Sequence, residues 1–98
     1  MARRTSSVRR RTPRGETVLY SRTVLCSVTG ASERQLAVWE HEDLIAPTRI
    51  DEVGGRSEPL YDRNALERIR VIRTLAEELE VNLPGIGVIL HLLDRERR

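Results

Sequence analysis

The sequence predicts a mainly α-helical domain with four helices, a small two-stranded β-hairpin between the second and third, and a disordered basic arm in front. Three observations predict it. Apolar residues in the last third of the chain recur at spacings of three and four, the mark of a helix with one buried stripe. A glycine pair, Gly54-Gly55, separates two short stretches that read as strands joined by a turn. The charge is also divided: residues 1–22 hold seven arginines and one acid, a net +6, whereas residues 23–98 hold ten arginines and fourteen acids, a net −4.

The arm, residues 1–17, reads MARRTSSVRRRTPRGET. It carries too little apolar surface to order itself. The folded domain is expected over 18–98. Its first helix lies in SRTVLCSVTG, with Val24, Leu25 and Val28 on one side and Gly30 as its stop. Ser32, followed three residues later by Gln35, is a capping-box pattern that opens the second helix. That helix runs to about Glu42, and Pro47 forbids its continuation because proline has no amide hydrogen to donate. Thr48 and Ile50 before the glycine pair, with Leu60 and Tyr61 after it, give the two strands, joined by a loop looser than a two-residue turn.

Asp62 caps the third helix, whose expected buried stripe is Leu66, Ile69, Ile72, Leu75, Ala76 and Leu79. Asn82 caps the fourth, and Pro84 falls in its first turn, where a missing amide hydrogen costs little. Ile86, Ile89, Leu90 and Leu93 supply its apolar face. There is no internal repeat.

Composition excludes several classes. Phenylalanine is absent, so the core must be aliphatic with Tyr20, Trp39 and Tyr61 as its aromatic candidates. A single cysteine, Cys26, precludes an intrachain disulfide or a thiolate metal cluster, and among apolar neighbours it reads as a small buried hydrophobe. No apolar run approaches the roughly 18 residues of a membrane span. The basic start lacks the apolar stretch of a secretory signal and is short for an organellar transit peptide, so a cytoplasmic location is expected. His41 and His91 lie fifty positions apart without ligand spacing, so no metal is expected. Glu77, Glu78 and Glu80 solvate a helix face, and neither Gly54-Gly55 nor Gly85-Ile86-Gly87 has phosphate-cradle spacing. No nucleophile has a base beside it. The sequence therefore predicts neither an enzyme nor a cofactor.

The order helix, turn, helix, two-strand wing, helix, helix, together with LAVWEHEDLIAPTR, resembles the winged helix-turn-helix domain of the MerR family. Trp39-Glu40 and Leu44-Ile45-Ala46-Pro47 match the family's pattern of an aromatic-Glu pair followed by two aliphatics and a proline. Asp43 stands where that pattern has glycine, and aspartate tolerates the left-handed backbone needed there. LYDRNALERIRVIRTL is similar to the family's wing end and third helix. LEVNLPGIGVILHLLDR resembles two branches, the HspR-type heat-shock repressors and the chaperone modulators that bind a J-domain co-chaperone, and its Pro-Gly-Ile form is closer to the latter. Ala37 and Pro59 occupy positions where DNA-binding members usually have phosphate-holding arginines, and Glu52 and Glu58 add negative charge to the wing.

The resemblance implies contact with double-stranded DNA through Ser32, Arg34 and Gln35 at the start of the second helix. Arg49 and Arg56 in the wing would lie on phosphates. The arm is read from its own charge: six arginines and no acid in the first fourteen residues point to backbone contact through Arg9, Arg10, Arg11 and Arg14, the alternative being a solvated tail. Trp39 is expected to pack rather than stack on bases. A homodimer would have to pair without a long coiled coil. The expected function is DNA-binding transcriptional regulation, with stress or chaperone genes as targets. The alternative is a protein-binding chaperone modulator that takes a J-domain co-chaperone and does not read DNA, which accounts for the acidic domain but leaves the arginine arm unexplained.

Overall fold

The computed structural model describes residues 18–96. A short strand β1 (Tyr20–Ser21) leads into α1 (Arg22–Thr29) and α2 (Glu33–His41). Strands β2 (Arg49–Val53) and β3 (Arg56–Tyr61) form the wing, followed by α3 (Arg63–Arg73), a π-helical turn (Thr74–Glu78) and α4 (Leu83–Glu96).

All four helices form where the capping residues place them. Gly30, at φ 81°, ends α1 in the left-handed conformation. Ser32 and Gln35 close the capping box of α2 reciprocally, each side chain accepting from the other's backbone N–H at 3.0 Å. Asp62 accepts from Ala65 N–H at 3.0 Å and Asn82 from Gly85 N–H at 2.9 Å, each satisfying a donor the first turn leaves open.

The sheet has three strands rather than two. Its order is β1-β3-β2, and β1 adds to the wing through Tyr20↔Tyr61 and Ser21↔Leu60. The expected hairpin omits β1 because two residues carry no readable periodicity; the anchorage of Tyr61 in the core brings the entering chain alongside β3. The wing loop is also tighter than expected. Val53 pairs with Arg56, so Gly54 and Gly55 alone make the turn. Both have positive φ, 57° and 78°, the conformation a two-residue turn needs to match strand twist.

Among the described residues the core is one cluster that includes Leu25, Leu36, Trp39, Leu44, Ile45, Tyr61, Leu66, Ile69, Ile72, Ile86 and Leu90. Three expected stripes are corrected at their edges. On α1 the inward line is Leu25 and Thr29, while Val24 and Val28 are exposed. Thr29 is buried without penalty because its hydroxyl donates to Leu25 O at 2.7 Å and accepts from Ala31 N–H at 3.2 Å. On α3 the stripe holds from Leu66 to Ile72 and then fades: Leu75 and Ala76 are partly buried and Leu79 is 64% exposed. The π turn is the cause, since its wider repeat rotates later residues off the line that 3.6-residue spacing would keep. On α4 Leu93 is exposed and Ile89 half-buried, leaving Ile86 and Leu90 as its core contacts. Cys26 is half-buried rather than buried.

Two arginines hold the layers together. Arg68 donates from Nε to Leu44 O at 2.9 Å and from Nη1 to Asp94 Oδ1 at 2.7 Å, joining the end of α2 to α4. Arg73 donates to Thr29 O and grips Glu77 with two further bonds of 2.9 and 3.0 Å.

Candidate nucleic-acid interface

The first turn of α2 presents Ser32, Arg34 and Gln35 at the surface. Arg34 is exposed and makes no ion pair or side-chain hydrogen bond with another described residue. Among the described residues its guanidinium is thus uncommitted, with its donors available. Gln35 differs: its amide oxygen is taken by Ser32 N–H, and its side chain also bonds Glu77. The Glu77 carboxyl is held below its ordinary pKa first by its Arg73 hydrogen bond.

Register fixes what the wing offers. Cross-strand partners share a face, so Arg49, Asp51, Glu58 and Arg56 lie together on one side. Arg49 is bound to Asp51 by two bonds of 2.9 and 3.1 Å, and Asp51 stands directly opposite Glu58. Arg56 is exposed beside the turn with no partner among the described residues. On the other side Ser57 Oγ donates to Glu52 Oε2 at 2.9 Å. The wing therefore carries one paired and one unpaired arginine. Ala37 is exposed on α2 and Pro59 half-buried on β3. Arg9, Arg10, Arg11 and Arg14 lie outside the described residues.

The densest polar constellation includes a residue that sequence reasoning missed. Arg22, the first residue of α1, donates from Nε to Glu33 Oε1 at 2.9 Å and from Nη1 to Glu40 Oε1 at 2.8 Å. It also reaches Tyr61 Oη at 2.9 Å and Glu33 O at 3.4 Å. The Tyr61 hydroxyl in turn donates to Glu40 Oε2. The fork spans both ends of α2 and the base of the wing. By sequence position alone Arg22 counts with the arm; only the Tyr61 and Glu40 positions of the family pattern hinted at a polar centre.

The energetics match the geometry. Tyr61 is fully buried, and burial followed by the Glu40 bond pushes its phenol up to about 12, against the opposing bond from Arg22. Burial pulls the Arg22 guanidinium down, yet its bonds to Glu33, Glu40 and Tyr61 outweigh it and hold the group above its ordinary value. Of the four acids on and just after α2, Glu33 and Glu40 are thus internally paired, leaving exposed Glu42 and Asp43 at the far end.

Other chemistries find little support. No group of three or more His, Cys, Asp or Glu among the described residues is placed to hold a metal. Burial pushes the Cys26 thiol up, against the thiolate a redox site needs. No described helix is long and apolar enough to cross a membrane.

A family model described as MerR HTH family regulatory protein matches residues 20–98, from β1 to the chain end. The chain belongs to the MerR helix-turn-helix family. No curated protein matches it. For a MerR-family protein, DNA-binding transcription regulation is the family-level function, and it is not an enzymatic one. The α2 and wing residues just described fall inside the matched region.

Proposed function

We propose that this MerR-family protein is a transcriptional regulator that enters the DNA major groove with the first turn of α2, the wing and basic arm lying on flanking phosphates. The observation that carries this reading is Arg34, exposed and unpaired among the described residues, in a capped helix start, where backbone amides also favour an anion. Arg34 is chemically suited to a guanine edge. Gln35 would read adenine only after giving up its present bonds, so Arg34 is the principal reader. Ser32, Arg56 and the arm arginines contact backbone, and Arg49 does so once released from Asp51. Two copies of the domain would read half-sites related by two-fold symmetry. The resemblance of the NLPGIG segment to HspR-type repressors points to stress or chaperone genes as targets, while its Pro-Gly-Ile form is closer to the chaperone modulators.

A second reading is favoured by charge: residues 18–96 hold nine arginines against fourteen acids. An acidic fold suits a basic protein partner, such as the J-domain of a co-chaperone.

Fluorescence anisotropy across a salt series separates the two. The full-length protein should select among genomic DNA fragments. Arg34→Ala should relax preference at one base position, at a cost of about 1–3 kcal/mol. Replacing Arg9, Arg10, Arg11 and Arg14 by glutamine should weaken all fragments alike and lower the salt slope by about 0.9 per lost phosphate contact. Unselective binding that disappears with those arginines would establish that the folded domain does not read sequence, and a J-domain pull-down would then decide the second reading.

A further inference from the structure

We infer that Arg22 is a positioning residue for DNA binding, which acts by fixing the Glu33 and Glu40 carboxylates in ion pairs that cancel their charge toward the polyanion. The inference rests on the major-groove reading of α2 and assigns a role to a residue that touches no DNA in it.

Glu33 and Glu40 are seven residues apart, two helical turns, and so share one face of α2. Glu33 sits next to Arg34 in the turn offered to the groove and is 62% exposed. Left alone, its carboxylate would be free to swing toward phosphate. The Arg22 fork fixes it at 2.9 Å and simultaneously holds Glu40 at 2.8 Å. Glu40 is only 27% exposed and is tied through the Tyr61 hydroxyl to the end of β3. Arg22 itself is 22% exposed, with its donors turned to these three partners. This protein lacks arginine at positions 37 and 59. Internal neutralisation of α2 is therefore how a helix with more acids than bases is made compatible with a polyanion. Arginine suits the post because its planar fork serves several acceptors at fixed angles, as a lysine ammonium cannot.

The test uses full-length protein and four chains: wild type, Arg22→Met, Arg22→Met/Glu33→Gln/Glu40→Gln, and a charge-matched control, Arg22→Met/Glu78→Gln/Glu96→Gln, whose two exposed acids lie outside the network. Circular dichroism melts set a temperature at which all four are folded. At fixed moderate salt Arg22→Met should bind a selected fragment about tenfold more weakly, and removing Glu33 and Glu40 should restore affinity to within about threefold of wild type. The control should stay weak. A structural role for Arg22 alone predicts no rescue, because the triple variant also lacks the network. Equal rescue by the control would reduce the effect to net charge, and wild-type affinity in folded Arg22→Met would remove the role altogether; either result overturns the inference. If Arg22→Met does not fold, Arg22→Lys against Arg22→Lys/Glu33→Gln makes the same comparison. Elution of the same chains from immobilised heparin, a polyanion without sequence, keeps the two claims apart. Absence of fragment selectivity in wild type would sink the groove-reading proposal, while the heparin order would still decide whether Arg22 neutralises the acids toward a polyanion.

Discussion

Asp43 occupies the position after the α2 C-cap, in the left-handed conformation with φ 61°. Asp43 N–H donates to Glu40 O at 3.0 Å and Leu44 N–H to Trp39 O at 2.8 Å, the Schellman pair of bonds that usually closes over glycine. An ordinary L-residue in that region costs about 1–2 kcal/mol, and aspartate, with its short polar side chain, somewhat less. Glycine escapes that strain but has more chain freedom to lose, worth about 0.5–1 kcal/mol. Removing a carboxylate from a helix C-terminus contributes about 0.3–1 kcal/mol more. Asp43→Gly should therefore stabilise the fold by about 0.5–1 kcal/mol, raising Tm by about 2–8 °C in a domain of this size. The assay is thermal unfolding followed by far-UV circular dichroism on a series at this one position. The order of stability should be Gly, then Asn, then Asp, then Ala, since asparagine and aspartate enter the left-handed region more readily than alanine and asparagine carries no charge. An alanine variant as stable as the glycine one would refute the reasoning, because strain at φ 61° would then not govern this helix end.

Tyr61→Phe removes a buried hydroxyl that bonds both Glu40 and Arg22; bonds to charged groups imply a loss of about 1.5–3 kcal/mol, read by urea unfolding. Because folding raises the Tyr61 phenol from 10 to about 12, the folded state keeps a proton that the unfolded chain has lost between those values. Stability is thus full below pH 10, falls as pH rises toward about 12, and should fall less steeply in Tyr61→Phe; an unchanged alkaline limb would contradict the buried hydroxyl. In the wing, Glu58→Arg converts the directly opposed pair with Asp51 from repulsive to attractive, for about 0.2–1 kcal/mol. Its Tm and its affinity for DNA should both rise, and a fall in either would mean that the two side chains do not face one another.

Local chemistry by itself determined most of the elements of this protein. Ser32 with Gln35, Asp62 and Asn82 mark three helix starts and Gly30 a helix end, because each satisfies backbone donors or a φ requirement within a few residues of itself; Gly54-Gly55 mark the wing's reversal but not its two-residue turn, and Asp43 was legible as a helix end only through the family pattern. The charge division between residues 1–22 and 23–98 and the exposed Arg34 were likewise legible in the chain. Tertiary structure alone decided the rest. Two residues of β1 become a strand only because Tyr61 is anchored beside them, and the α3 stripe ends at Ile72 because a π turn shifts its phase. Arg22 looks like part of the arm until folding brings Glu33, Glu40 and Tyr61 around it, across 11, 18 and 39 positions of chain. Sequence patterns report interactions between near neighbours. Whether an acidic helix presents its charge or has it cancelled depends on partners that only the packed chain brings within hydrogen-bonding distance.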